Sequence, residues 1–179
     1  MTAWEKEYGE ALYELCNEEN CAQETGEQLD MVCALFRGEP KYAGILQNPA
    51  LPRQERLGML DEAFRDSVHP YLLNFLKLLC ERSALEALPG CTERFHALYN
   101  EDRGLLPVTA TSAVALTEAQ KQALAEKLSR LTGKTVLLEN RVDKSLMGGV
   151  KVNYDGKELD GSVAGRLEAL RRVLVDGKA

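Results

Sequence analysis

Five cysteines and two histidines are the residues of this chain best suited to nucleophilic or metal chemistry, and their spacing speaks against both. Cys16, Cys21, Cys33, Cys80 and Cys91 include no Cys-x-x-Cys pair, and His69 and His96 stand far apart, whereas zinc sites are read from ligands paired at short spacing. A thiol nucleophile with a histidine base needs only proximity in space. No cysteine, however, sits in a turn or glycine-rich context that would present it. The thiols read as small hydrophobes, buried or half-buried and reduced in a cytosolic setting. Gly148-Gly149 frees two backbone N–H groups that could face a phosphate. It lacks the flanking pattern of a phosphate loop and leads into a strand, so it reads as a tight turn or bulge. Asp143 and Asp160 could form a general acid and base, yet each lies beside Ser or Gly, where aspartate bonds its own backbone. Arg166, Arg171 and Arg172 give the last helix a basic side that its dipole favours without any ligand. No catalytic residue, cofactor or metal is expected.

These residues must be positioned by a chain of 179 residues, enough for one ordinary domain or two small ones. Apolar residues make up 45% and charged residues 28%, the composition of a globular protein with a core. No apolar stretch approaches the roughly 20 residues of a membrane span. The start, Met-Thr-Ala-Trp-Glu-Lys-Glu, lacks the basic region and apolar run of a signal peptide, which places the protein in the cytosol. Residues 1–105 carry 10 Lys and Arg against 19 Asp and Glu, a net of −9, while residues 106–179 carry 12 against 9, a net of +3. An acidic first part argues against nucleic acid, whose phosphates demand clustered cations.

The first 100 residues have helical periodicity. Tyr8, Ala11, Leu12 and Leu15 fall on one face. Thr25-Gly-Glu-Gln28 has the form of a capping box, which predicts a helix from Thr25 with Leu29, Val32, Cys33 and Phe36 as its stripe. A short helix from Tyr42 to Leu46 ends before Asn48-Pro49. Pro52 suits a first helical position ahead of Leu57, Leu60 and Phe64. His69-Pro70 opens a dense apolar helix with Leu72, Phe75, Leu76 and Leu79 on the core face and Leu73 and Leu78 off it. Leu88-Pro89 begins a last helix with Phe95, Leu98 and Tyr99. Six helices with short connections read as a compact bundle. Polar Asn100 to Gly104 marks the boundary, giving domains 1–105 and 106–179.

Beyond it the pattern is α+β. Pro107 to Leu116 reads as a strand. Thr117-Glu-Ala-Gln120 caps a helix carrying Leu124, Leu128 and Leu131 and stopping at Thr132-Gly133. Val136, Leu138 and Val142 alternate, as do Val150, Val152 and Tyr154, and Asp155-Gly156 is a hairpin turn. Ser162 caps a terminal helix with Val163, Leu167, Leu170 and Leu174 on one face.

The stretch from Arg141 to Leu174, with Asp143, Ser145-Leu146-Met147-Gly148-Gly149 and Asp160-Gly161-Ser162-Val163 followed by Arg166-Leu167, resembles the C-terminal signature of the delta subunit of the F-type ATP synthase, the bacterial relative of the mitochondrial oligomycin-sensitivity-conferring protein. Tyr8-Gly-Glu-Ala-Leu-Tyr13 is similar to that family's Tyr-Ala-x-Ala-Leu-Phe, Leu46-Gln-Asn-Pro49 to its Leu-x-Asn-Pro, and Asn74-Phe-Leu-Lys-Leu-Leu79 to its Asn-Phe-Leu-x-Leu-Leu. Leu88-Pro89, Thr111-Ser-Ala113, Leu116-Thr117, Thr132-Gly-Lys134 and Val142-Asp143 follow in the family's order. Two departures stand out: Arg53 replaces a frequent Lys, and Ser83-Ala84 replaces Gly-Arg after the fifth helix.

The resemblance implies a non-catalytic stator subunit in the peripheral stalk of the proton-translocating enzyme, at the cytoplasmic face of the cell membrane. A six-helix N-terminal bundle would bind the N-terminal helices of the alpha subunits against its first and fifth helices. Tyr8, Ala11, Leu12, Leu15, Phe75, Leu78 and Leu79 match that site. The small C-terminal α+β module would join the C-terminal ends of the b subunits. The competing readings are a free-standing adaptor for amphipathic helices in another complex, and a small α+β enzyme for which no convergent catalytic set can be assembled.

Overall fold

The computed structural model describes residues 3–146 and 148–161. In order they form α1 (Ala3–Glu18), α2 (Ala22–Gly38), α3 (Pro40–Leu46), α4 (Arg53–Phe64), α5 (Pro70–Glu81), a 3-10 turn (Leu85–Ala87), α6 (Leu88–Asp102), β1 (Leu105–Ser112), α7 (Glu118–Thr132), β2 (Thr135–Val142), β3 (Val150–Tyr154) and β4 (Lys157–Asp160). The fold is α+β, with seven α-helices and four strands among the described residues. The chain divides into two compact units, Met1–Tyr99 and Asn100–Ala179.

Local chemistry sets most helix ends of the first unit. Helix α1 stops where Asn20 turns left-handed, at φ 58°. There the Cys21 N–H donates to the Cys16 carbonyl at 2.9 Å and the Asn20 N–H to that of Asn17 at 3.2 Å, which satisfies two of the helix's open carbonyls. This turn feeds directly into α2, so α2 begins at Ala22 and not at the capping box expected from Thr25. The Thr25 N–H already bonds the Cys21 carbonyl at 2.9 Å, and Thr25 is wholly buried as an interior helical residue. Pro52 is the cap of α4 instead of its first residue. At α5, His69 Nδ1 accepts from the Tyr71 N–H at 3.3 Å and Pro70 takes the first helical turn. The Gln28 side-chain oxygen accepts the His69 N–H at 2.7 Å, tying α2 to the start of α5.

The core of this unit gathers Leu12, Tyr13 and Cys16 from α1, Leu29 and Val32 from α2, Leu60 and Phe64 from α4, and Leu88 and Phe95 from α6 around α5. Phe95 has no exposed surface and meets Tyr13 edge-on, ring centres 5.5 Å apart. A Cβ at Gly9 would stand 2.6 Å from the Cys91 carbonyl oxygen, so the missing side chain is what lets α1 lie this close to α6. Helix α5 is more deeply enclosed than its stripe suggests. Leu73, expected off the core face, is 8% exposed, because several helices surround α5.

In the second unit the sheet order is β2-β1-β3-β4. Strands β1 and β2 are parallel, a pairing that needs a long crossover, and α7 lies between them in the chain. Strand β3 runs antiparallel to β1 and to β4. Asp155 and Gly156, at φ 45° and 69°, make the expected hairpin turn, where both central residues must be left-handed. The capping box of α7 forms as expected: Thr117 Oγ1 accepts the Gln120 N–H at 3.3 Å and Gln120 Oε1 accepts the Thr117 N–H at 2.9 Å. Gly133, at φ 71°, ends the helix.

Leu106, Val108, Leu128 and Val152 are the buried centre of this unit. Strand β1 starts at Leu105 and stops at Ser112, short of the expected Leu116. Asn140 replaces the ladder there, accepting the Leu116 N–H at 2.9 Å while donating to the Ala110 carbonyl and to Ser112 Oγ, each at 2.9 Å. Leu131, expected on the buried stripe, is 79% exposed, whereas Leu128 one turn earlier is 4% exposed. Val142 is likewise half exposed at the end of β2. The terminal helix expected from Ser162 to Leu174, with Val163, Arg166, Leu167, Leu170, Arg171 and Arg172, lies outside the described residues.

Candidate functional site

Helices α1 and α5 form the walls of an open apolar cleft of about 610 Å³. From α1 come Tyr8, Ala11, Leu12 and Leu15, the i, i+3, i+4, i+7 stripe of one helical face. From α5 come Tyr71, Phe75 and Leu78, at i, i+4 and i+7. Leu12 and Phe75, 3% and 7% exposed, are the floor; Leu15 and Leu78, 50% and 38% exposed, rise to its edge. Glu7, Asn74 and Arg82 supply a sparse polar rim. Trp4 meets Tyr8 edge-on at 5.7 Å, at the position where a neighbouring smaller pocket begins.

Of the seven residues assigned to an alpha-helix site, Tyr8, Ala11, Leu12, Leu15, Phe75 and Leu78 line this cleft. Leu79 does not. Its side chain has no exposed surface and points into the core, bordering the smaller pocket instead, since one position along a helix rotates a side chain by more than a quarter turn. Tyr71 and the polar residues Glu7, Asn74 and Arg82 line the same cleft and are not among the seven. Tyr71 lies four residues before Phe75 and seven before Leu78, and that spacing is the signal by which the sequence could reveal it.

The cleft is lined mainly by apolar side chains. It holds no cysteine or histidine. Elsewhere burial raises the thiols, pushing Cys16 and Cys91 up to about 11 and shifting Cys33 and Cys80 upward, the opposite of an activated nucleophile. Among the described residues no three His, Cys, Asp or Glu side chains come together in a way that could hold a metal ion.

The signature residues of the second unit build turns. Asp143 Oδ1 accepts the Ser145 N–H at 2.8 Å, and hydrogen bonds from the Ser145 hydroxyl and backbone hold its carboxyl below the usual carboxylate range. The Leu146 N–H closes the turn on the Asp143 carbonyl at 3.2 Å. Gly148 and Gly149, at φ 145° and 85°, then deliver the chain into β3. At the far end, Asp160 is 3.4 Å from Lys151, and the Gly161 N–H donates to the Val150 carbonyl at 3.0 Å. Asp143 and Asp160 therefore have local partners. Ser162, Arg166 and Leu167 lie outside the described residues.

Residues 5–174 match the family model described as ATP synthase delta (OSCP) subunit. The chain is 36% identical over 171 residues to ATP synthase subunit delta of Geobacillus sp. (strain WCH70), covering 95% of this chain and 96% of that one. It is 35% identical over 164 residues to the subunit delta of Synechococcus elongatus, covering 91% of each. In fold it resembles a chain of the cryo-EM structure of the Toxoplasma gondii mitochondrial ATP synthase hexamer, with a TM-score of 0.75 over 98% of both chains at 21% identity. The ordered signature, the match along nearly the whole length and the shared fold lead to one conclusion: this chain belongs to the ATP synthase delta (OSCP) subunit family, the stator component of the peripheral stalk of the F-type ATP synthase.

Proposed function

We propose that the chain works without catalysis, as a two-ended tether. On this reading the helical unit is a six-helix bundle that seats an N-terminal helix of an alpha subunit between α1 and α5. The α+β unit joins the C-terminal ends of the b subunits. The observation that carries the first half is the apolar cleft, whose two helical stripes meet the requirement for an amphipathic helix lying in a groove. The second half rests on family membership, and so does a position at the cytoplasmic face of the cell membrane. No helix among the described residues is long and apolar enough to cross a membrane; on this reading, as in its family, attachment runs through the complex.

The physical task is to resist torque. The rotor drives the catalytic head to turn with it, and the head stays still only while a stator links it to the membrane sector. Two attachment points on one chain raise the effective concentration of each, so loss of one contact is followed by rebinding sooner than by release. Affinity capture of the tagged full-length chain from cell membranes tests this. Co-purification of alpha, beta and b chains is expected, and their absence would favour an adaptor in some other complex.

A further inference from the structure

Cys16 and Cys21, at the end of α1, take no part in the cleft or in the tether. The backbone brings them together. When a helix ends in a left-handed residue with paired terminal hydrogen bonds, the residue after it is set beside the residue four positions before it, commonly as an apolar contact. The first unit uses this turn twice. After α5 the left-handed residue is Ser83, the Ala84 N–H bonds the Leu79 carbonyl at 2.8 Å, and the paired side chains are Leu and Ala. After α1 the left-handed residue is Asn20, and the paired side chains are Cys16 and Cys21.

The Cys21 N–H bonds the Cys16 carbonyl at 2.9 Å, and burial, with a smaller part from the neighbouring Cys21, raises the Cys16 thiol to about 11. The Thr25 hydroxyl sits beside Cys16, short of full hydrogen-bond geometry. Cys16 is fully buried and Cys21 half-buried, so solvent reaches one member of the pair and the other is shielded behind it. The remaining thiols are engaged or enclosed elsewhere: Cys33 Sγ is 3.3 Å from Thr92 Oγ1, Cys80 Sγ donates to the Leu46 carbonyl at 3.3 Å, and Cys91 is 1% exposed.

We propose that Cys16 and Cys21 are a redox-active dithiol, a modification site that closes to an intramolecular disulfide on meeting a low-molecular-weight disulfide such as glutathione disulfide. The Cys21 thiolate attacks one sulfur of glutathione disulfide, forms a mixed disulfide and releases one glutathione thiolate. The Cys16 thiolate then attacks the Cys21 sulfur, makes the Cys16–Cys21 bond and releases the second glutathione. Two electrons pass from the cysteines to the external disulfide, and the two cysteine protons end on the two glutathione thiols. Burial disfavours the Cys16 thiolate, so the second step is the slow one and the mixed disulfide appears first. The turn's two backbone bonds, from the Cys21 N–H to Cys16 and from the Asn20 N–H to Asn17, keep the two residues on the same turn of chain while the exchange proceeds.

The test incubates the reduced full-length chain with glutathione disulfide, alkylates it under denaturing, non-reducing conditions and weighs it intact. Adducts should fall from five to three, through a transient glutathione adduct. Cleavage after glutamate separates residues 15–18 from residues 20–24 unless a disulfide joins them, and their recovery as one linked species is the expected result. Cys21→Ser should keep all four of its thiols alkylatable after the same treatment. Five adducts retained in the wild type, a glutathione adduct that never closes, or a linkage through Cys33, Cys80 or Cys91 would overturn the proposal. If Cys21→Ser fails to fold by circular dichroism, the linkage map of the wild-type chain decides alone.

Discussion

Helices α1 to α6 close around side chains such as Leu29, Leu76 and Phe95 that keep no exposed surface, and much of the apolar surface left over on α1 and α5 lines one cleft. Among its described residues the sheet unit buries fewer large apolar side chains. Its buried apolar centre is Leu106, Val108, Leu128 and Val152, while Leu131 and Val114 stand 79% and 73% exposed and Leu137, Val142 and Leu159 are about half exposed. Charge divides the same way, acidic in the first part and basic in the second. On α1 and α5 a deep core and an exposed apolar edge belong to the same helices. A side chain such as Leu78 can remain at the surface without cost to the fold because Leu72, Leu76 and Leu79 on the same helix already anchor it.

Breaking the deeper core should give the largest effect. Phe95→Ala should cost about 3–5 kcal/mol, a fall in the first unit's melting temperature on the order of 20 °C. Calorimetry of the full-length chain should show that transition move while the second unit's stays in place; a common shift of both would mean that the units melt as one. A smaller effect, on binding alone, is expected from Leu78→Asp. That substitution puts a carboxylate at the edge of an apolar contact, where an unpaired charge is penalised, and should weaken an alpha N-terminal peptide by at least about thirtyfold with the circular dichroism spectrum unchanged. Unchanged affinity would remove Leu78 from the groove, and unfolding would make it a core residue.

The smallest effect sharpens the comparison through pH. Lys77 on α5 lies 2.6 Å from Asp61 on α4 and, by hydrogen bond and charge, holds that carboxyl below the usual range; in the second unit Asp143 is lowered by Ser145. A depressed folded pKa stabilises at pH above the ordinary carboxylate value of roughly 3.9, and the contribution is lost as pH falls through the lower folded value. Asp61→Asn should therefore be slightly less stable than wild type at neutral pH and equal to it in strong acid. High salt should shrink the gap, since the pair is partly exposed. Denaturant midpoints across pH measure this, and a gap that widens on acidification would contradict the assignment.

Much of this architecture is legible in the sequence, because it depends on residues within a few positions of one another. Thr117 and Gln120 cap a helix, Gly133 ends it, Asp155-Gly156 turns a hairpin and His69-Pro70 starts α5, each through hydrogen bonds or backbone restrictions that the local sequence carries entire. The stripe of Tyr8, Ala11, Leu12 and Leu15 is legible as a face in the same way. Periodicity says that residues share a face and not what the face meets, so Leu12 as floor, Leu15 as rim and Leu79 as core emerge only when α1 and α5 are set against each other. The start of α2, three residues ahead of Thr25, follows from the turn that ends α1, whose closing bonds already commit Cys21 and Thr25 to the next helix. Leu73 is buried although it lies off the stripe, Leu131 is exposed although it lies on one, and the parallel pairing of β1 with β2 joins strands separated by all of α7. Short-range bonds are written in neighbouring residues; which surfaces exclude water together is a property of contacts between distant ones, and tertiary structure alone decides it.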